Sequence, residues 1–481
     1  MDLRPVFLVV GILVTTLAAG MGVPAAVDAF AGNDDWQVFA LSASVTLFVG
    51  VAMALTCRVK RFRLTVRQAF VMATLSWVFL TFFASLPFMF SELKLSFADS
   101  FFEAMSGITT TGSTVIVGLD TVPPGILLWR ALLQWLGGLG IIVMAIAIMP
   151  FLGVGGMQLF RIEAFDTGEK MLPRAAQISA ALSLIYLALT SLCAVALWLA
   201  GMTELEAVVH AMTTLATGGY STSDGSIGHF NNSAIDAIVT LGMIMGSLPF
   251  VRYLGIIQGD ARSLLRDSQV RWFIVVLLSA ISTATVFLYL NSDLSMLSAI
   301  RVSAFNITSV ITGTGFATSD YWLWGGFAGP IFFYIMFVGG CAGSTTCGIK
   351  IFRFQVLWSA TNTQFHYLLR PHGVFIPYYN GRPIPEEVIT SVMSFFFMFG
   401  VCFAMLAMAL GALGLDFVTA VSSAATAICN VGPGLGPVVG PAGNFQSLPD
   451  AAKWLLSAGM LLGRLELFTV LMLFSPTFWR G

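Results

Sequence analysis

Charged side chains are scarce in this chain. Asp, Glu, Lys and Arg make up only 10% of its 481 residues, too few to keep a globular surface soluble. Six cysteines (Cys57, Cys193, Cys341, Cys347, Cys402, Cys429) are scattered without paired or metal-ligand spacing, which argues against a disulfide framework and leaves them as packing residues. Four histidines, none clustered, give no metal or proteolytic site. No apolar run carries His-Glu-x-x-His, a Gly-x-Ser-x-Gly elbow or facing aspartates, so the chain does not read as an intramembrane enzyme. No nucleotide-binding glycine pattern follows a strand, so any nucleotide control must come from another polypeptide. No nucleic-acid partner and no covalent cofactor are expected. Without a linker or low-complexity segment, the chain reads as one integral membrane domain.

What is abundant is apolar sequence. Hydrophobic residues make up 57% of the chain, and runs long enough to cross a bilayer recur along its whole length. Ten spans are expected, at about 5–28, 37–57, 69–90, 125–150, 176–200, 233–256, 272–290, 328–349, 387–411 and 452–474. The first follows Arg4 as a signal peptide would, but its length and the lack of a small-x-small site favour a retained helix. Charge sets the orientation. Arg58, Lys60, Arg61, Arg63 and Arg67 assign the loop at 58–68 to the cytoplasm. Alternating the spans then places 18 of the 23 Lys and Arg residues, with eight acids, on the cytoplasmic side. The outer side holds four basic residues against fifteen acids. Both chain ends are expected in the cytoplasm.

One short pattern occurs four times: Ser/Thr, any residue, Ile/Leu, three residues, Gly. It reads Ser106-Gly107-Ile108-Thr109-Thr110-Thr111-Gly112, then Thr213-Thr214-Leu215-Ala216-Thr217-Gly218-Gly219. The third copy is Ser309-Val310-Ile311-Thr312-Gly313-Thr314-Gly315, and the fourth is Thr426-Ala427-Ile428-Cys429-Asn430-Val431-Gly432. Each lies between two apolar runs and, in the assigned orientation, faces outward. The last eight spans therefore form four units of span, short segment, span, with short segments at about 98–109, 205–216, 298–311 and 417–428. Every unit enters and leaves on the same side. Such parallel repeats close around an axis along the membrane normal, unlike the inverted repeats of many alternating-access carriers.

Non-helical backbone at membrane depth survives only where protein surrounds it or water lines it. Glycine there lets carbonyl oxygens turn toward the axis, and a ring of carbonyls can replace the water a cation loses. The short helices would aim their negative C-terminal ends at the same place. For any one of these glycines, close helix packing is the competing explanation. The recurrence of all four at a fixed offset favours the pore. Asp120, Asp224 and Asp320 follow their glycines and serve either as a cation-attracting rim or as ordinary loop acids.

At these loops the chain resembles the Trk-type potassium uptake family, the TrkH/KtrB/HKT superfamily, and in particular its TrkH membrane subunits. The matching stretches are Thr109-Thr110-Thr111-Gly112-Ser113-Thr114, Ala216-Thr217-Gly218-Gly219-Tyr220-Ser221, Thr314-Gly315-Phe316-Ala317-Thr318 and Asn430-Val431-Gly432-Pro433-Gly434-Leu435-Gly436. A fifth is Trp129-Arg130-Ala131-Leu132-Leu133-Gln134-Trp135-Leu136-Gly137-Gly138-Leu139-Gly140. The resemblance covers nearly the whole chain. It implies an all-α integral membrane protein of four pseudo-symmetric span–pore helix–span repeats around a central pore, plus two extra N-terminal transmembrane helices. The units fall at 1–60 (the extra helices), 61–155, 156–262, 263–358 and 359–481. It further implies a potassium filter at Thr110, Thr111, Gly112, Thr217, Gly218, Gly219, Thr314, Gly315, Asn430, Val431 and Gly432. In related plant transporters, serine at the first filter glycine goes with sodium preference. Glycine at all four positions here implies potassium, with rubidium as a surrogate. Gly313 stands where the first two copies have threonine, and Cys429 is an unusual neighbour.

Two gating features are expected on the same basis. The eighth span contains Gly339-Gly340-Cys341-Ala342-Gly343-Ser344-Thr345-Thr346-Cys347-Gly348, a poor continuous helix. The family breaks it into an intramembrane loop, a role carried here by Gly339, Gly340, Gly343 and Gly348; a small-residue packing helix is the alternative. Arg464 lies in the last apolar run and is expected either beneath the filter, repelling cations, or in an ion pair with an acid on a neighbouring span. The resemblance adds a cytosolic TrkA-type nucleotide-binding regulatory subunit, a membrane homodimer and a bacterial inner-membrane location. The basic loops 161–174, 252–271 and 350–386 suit docking of that subunit or contact with anionic membrane lipids. A proton- or sodium-coupled potassium carrier working by alternating access is the competing function.

Overall fold

In the computed structural model, residues 1–59, 64–147, 155–157, 159, 171–260 and 262–480 are described. Residues 60–63 of the first basic loop and 161–170 of the loop at 161–174 lie outside the described residues, as does the end of the fourth expected span. Among the described residues the chain is helical apart from loops and one two-stranded hairpin, Tyr378–Tyr379 against Arg382–Pro383.

Among the described residues, seven continuous helices are long and apolar enough to cross a membrane: Arg4–Ala31, Asp35–Thr56, Val66–Phe90, Pro124–Ala145, Gln177–Leu199, Ser268–Asn291 and Glu386–Ala412. The other three expected spans are not single helices, and each break has a local cause. The run at 233–256 divides into Ser233–Ser247 and Phe250–Ile257, bent by 96°. Leu248 is extended (φ −86°, ψ 155°) because Pro249 follows it and disfavours helical backbone at the residue before. The run at 452–474 divides into Asp450–Arg464 and Phe468–Phe474, bent by 108°. At that bend Glu466 and Leu467 take left-handed φ of 60° and 54°, and the Glu466 carboxylate is paired with Arg353. The run at 328–349 is helical only over Ala328–Ile335; its glycine-rich second half is loop.

The four short segments are helices at Phe97–Ile108, Glu204–Leu215, Met296–Ile311 and Phe417–Cys429. Each starts on a side-chain cap. Ser96, Thr203, Ser295 and Asp416 accept hydrogen bonds from the backbone N–H of Asp99, Glu206, Ser298 and Thr419. A cap of this kind is worth about 1 kcal/mol, enough to fix where so short a helix begins. The third helix has 16 residues against 12, 12 and 13, one turn more than the others.

The helix after a short helix packs tightly beneath it. A Cβ on Gly137 would overlap the Ile108 carbonyl oxygen, one on Gly463 that of Ile428, and one on Gly246 would come within 2.8 Å of that of Leu215. These three carbonyls belong to the Ile/Leu of the repeated pattern. In the third unit the following helix is already broken. The pseudo-symmetry thus extends from the loops into the packing that supports them.

Candidate functional site

The fixed spacing of the repeated pattern is a helix-ending motif. The N–H of Thr111, Gly218, Thr314 and Val431 donates to the carbonyl of Ser106, Thr213, Ser309 and Thr426, at 2.8, 2.9, 2.9 and 3.1 Å. One residue earlier, Thr110, Thr217, Gly313 and Asn430 donate to Gly107, Thr214, Val310 and Ala427. This pair of bonds, with a left-handed residue between, is the Schellman arrangement that stops a helix. That left-handed residue has φ 52° at Thr110, 50° at Thr217, 71° at Gly313 and 52° at Asn430. Gly313 therefore follows from backbone geometry: it is the unstrained choice at a position where the other copies hold a Cβ at positive φ.

Positive φ returns two residues later, 89° at Gly112, 78° at Gly219, 84° at Gly315 and 101° at Gly432. The four loops interlock. A Cβ on Gly112 would overlap the carbonyl oxygen of Gly218, one on Gly219 that of Thr314, and one on Gly315 that of Val431. A Cβ on Gly432 would come within 2.9 Å of the carbonyl oxygen of Thr111. Each glycine faces the carbonyl just ahead of the next copy's glycine, and the fourth returns to the first. The ring is closed, in chain order. Cross-links fix it: Ser113 Oγ donates to Gly432 O (2.8 Å), and Asn430 Nδ2 donates to Thr111 Oγ1 (2.9 Å). Gln134 donates to Gly218 O (2.6 Å) and accepts from Tyr220 N (3.1 Å).

On one side the ring opens into a cavity of about 260 Å3 lined by Gly112, Gly219, Gly315 and Gly432, with Arg130 and Asp224 on its wall. Asp224 accepts from the N–H groups of Gly118 and Leu119, and so ties the second unit's loop to the first. Asp320 caps a short turn through Trp322 N, while Asp120 is exposed.

On the other side lies the loop that follows Ile335. Gly339 N donates to Ile349 O and Ile349 N to Phe337 O, closing the loop at its base. Cys341 N and Thr345 N donate to the carbonyls of Ser247 and Gly246, which the bend at 248 leaves free of helix bonds. Two breaks in the chain thus satisfy each other, as buried backbone requires.

Arg464 reaches this loop from the end of its helix. It is 3% exposed, donates to Thr345 O (3.1 Å) and Gly137 O (3.2 Å), and lies against Cys347 Sγ. Its partners are carbonyls and a thiol, so the ion pair with an acid on a neighbouring span is not observed among the described residues. The acid nearby, Glu466, pairs instead with Arg353, whose guanidinium lies 3.8 Å from the Phe395 ring centroid. Lys350 Nζ donates to Thr346 O. A cavity of about 20 Å3, room for roughly one water, remains between Cys347, Lys350, Arg464 and Glu466. Glu466→Gln leaves Arg353 buried without its counter-charge. It should cost about 3 kcal/mol of stability, read as a lower unfolding temperature in detergent. An unchanged midpoint would show that the pair contributes nothing.

Sequence alone did not single out Glu103, Lys350, Arg353 or the roles of Gln134 and Tyr220. Glu103 carried a signal: it is an acid within a short apolar helix that ends at the pattern, and it is fully buried against Arg130.

Fold and site define a multi-span helical membrane protein with four like units meeting at one carbonyl ring. The TrkH family, described as cation transport protein, matches residues 36–480, and the chain belongs to that family. It is 46% identical over 481 residues to the Trk system potassium uptake protein TrkI of Halomonas elongata, covering 99% of this chain and 97% of that one. It is 38% identical over 485 residues to the Trk system potassium uptake protein TrkH of Escherichia coli K12, covering both chains fully. The crystal structure of the potassium transporter TrkH from Vibrio parahaemolyticus, 36% identical, superposes over 100% of both chains with a TM-score of 0.93. The comparisons place the chain in a transporter family rather than among enzymes.

Proposed function

We propose that this protein carries potassium into the cytoplasm through the carbonyl ring, with Thr110, Thr111, Gly112, Thr217, Gly218, Gly219, Thr314, Gly315, Asn430, Val431 and Gly432 as its filter. The observation that carries this reading is ring closure: one carbonyl from each of the four units abuts the pattern glycine of another, in a closed cycle at the floor of a cavity that opens to one side. Left-handed backbone recurs at alternate positions of each loop, and in this reading it lets carbonyl oxygens turn toward the axis. Carbonyl oxygens so placed substitute for the water of a dehydrated monovalent cation. The relatives named as potassium uptake proteins support potassium as that ion.

The loop at 339–348 and Arg464 are the gate in this reading. Gly339, Gly340, Gly343 and Gly348 allow the loop to fold back under the ring, and Arg464 pins it through Thr345. Below the ring, among the described residues, stand three cations (Lys350, Arg353, Arg464) against one acid, Glu466, an excess of positive charge that opposes a cation at rest. The proposed setting is the bacterial inner membrane, with both termini cytoplasmic and two copies forming a homodimer. A cytosolic TrkA-type nucleotide-binding subunit is the proposed regulator. The exposed Arg262, Arg266, Arg271 and Arg382 supply a basic surface for it or for anionic lipid.

Expression in cells lacking potassium uptake should restore growth at low potassium, with rubidium influx that potassium suppresses and sodium does not. In voltage clamp, current should reverse at the potassium equilibrium potential. A reversal potential that follows the proton or sodium gradient would replace this reading with the coupled carrier.

A further inference from the structure

Behind the ring, the four units share a second position that the repeated pattern does not include. Nine residues ahead of each glycine stand Glu103, His210, Asn306 and Ser423, all buried in their short helices. Three of them hold the loop segment that leaves the ring in their own unit. Glu103 accepts from Thr114 Oγ1 (3.0 Å) and Val115 N (2.9 Å). His210 Nε2 bonds Ser221 Oγ (3.0 Å), and Asn306 exchanges two bonds with Thr318, at 2.8 and 3.2 Å. The hydroxyl of Ser423 has no partner.

Only the first unit uses a charge there, and the charge is answered from another helix. Arg130 Nε lies 2.8 Å from Glu103 Oε1, and the two side chains are 1% and 0% exposed. The same guanidinium donates to Thr114 Oγ1 (3.1 Å) in the first loop and to Ser221 O (2.9 Å) in the second, and covers the Tyr220 ring at 4.0 Å. Tyr220 OH returns to the carbonyls of Glu103 (2.9 Å) and Ser113 (3.2 Å). Burying a carboxylate and a guanidinium costs several kcal/mol each before their attraction is counted. Neutral anchors serve the second and third units, so holding the loop does not by itself require charge. What the pair adds is a balanced field beside the ring, because Arg130 also lines the outer cavity.

We propose that Glu103 and Arg130 are positioning residues that determine cation specificity: together they fix the junction of the first two loops and cancel each other's charge at the outer entrance. The proposal rests on the reading of the ring as a potassium filter. It makes the two single substitutions move apparent affinity in opposite directions. Glu103→Gln leaves Arg130 uncompensated and repels the incoming cation, so the rubidium KM should rise about fivefold or more with maximal flux largely kept. Arg130→Gln leaves the carboxylate uncompensated, so KM should fall while the preference for potassium over sodium weakens. The double variant should return KM to within about twofold of the parent, because the charges leave together.

Rubidium uptake with sodium competition, at matched membrane levels, reads all three. If both single variants shift KM the same way, or the double is no better than the worse single, the pair is only structural and the inference is overturned. Should Arg130→Gln fail to reach the membrane, Arg130→Lys takes its place. It keeps the charge but loses the fork to both loops, so KM should hold and the preference should weaken. A KM shift as large as that of Glu103→Gln, or an unaltered preference, overturns the proposal. Gly219→Ser separates the two failures. If it alters ion preference while the pair variants shift together, only this inference falls; if it leaves preference intact, the filter reading falls with it.

Discussion

Arg464→Ala should raise rubidium influx by roughly tenfold or more, measured at matched expression in cells without other potassium uptake. In the proposed reading the side chain stands beneath the carbonyl ring, and it has no counter-ion of its own among the described residues, since Glu466 is held by Arg353. A unit charge a few ångströms from the path of another raises its energy by a few kcal/mol even at an effective dielectric constant of about 20. Removing it lowers that barrier and also frees Thr345 O, one of the bonds by which the loop is pinned. Arg464→Lys tells the two contributions apart. It keeps the positive charge but not the fork that reaches both Thr345 and Gly137, so flux should stay close to the parent if charge dominates. Unchanged flux in Arg464→Ala would remove this residue from the gate.

Gly219→Ser should lower the preference for potassium over sodium by about an order of magnitude. The position is closed to a side chain twice over. Its φ of 78° resists any L-residue, and a Cβ there would overlap the Thr314 carbonyl oxygen of the next unit. The substitution therefore spreads the ring where the second and third loops meet. Selectivity suffers because a widened ring no longer matches one cation's lost hydration better than another's. Gly118→Ala is the control. Its φ is also positive, 77°, but the nearest atom to a new Cβ is Thr121 Oγ1 at 3.6 Å, so it carries backbone strain without touching the ring. Competition assays should show an altered ratio for Gly219→Ser and the parent ratio for Gly118→Ala. The same ratio in all three would tell against the filter assignment, whereas a loss of flux alone would not decide it.

The short helices were legible to within two residues because a cap residue, an apolar stripe and a glycine mark both ends in the sequence itself. The quartet of glycines was legible as a recurrence. Its cause was not, because a Schellman bond is a relation between backbone atoms and leaves only its spacing behind. Composition also identifies apolar runs without saying whether they are straight. Pro249 was visible inside one run and Glu466 inside another, yet the 96° bend depends on the loop after Ile335, which bonds the freed backbone carbonyls, and the 108° bend on Arg353, which holds the Glu466 carboxylate. The ion pairs were least accessible. Glu103 meets Arg130 across 27 residues and Arg353 meets Glu466 across 113, separations that no local pattern encodes. For the same reason Arg464 could be read as charged and buried, but not as bonded to carbonyls.

Ring closure joins Gly432 to Thr111, so the last quarter of the chain must be made before the first loop has its neighbour. The helix that underpins the fourth loop contributes Gly463, set against the Ile428 carbonyl, and Arg464 is the very next residue. In the proposed reading, a ribosome therefore delivers the final wall segment and the gating guanidinium within a single peptide bond of each other. On that reading a half-made chain in the bilayer would have no complete hole to leak through, and a finished one would be born shut.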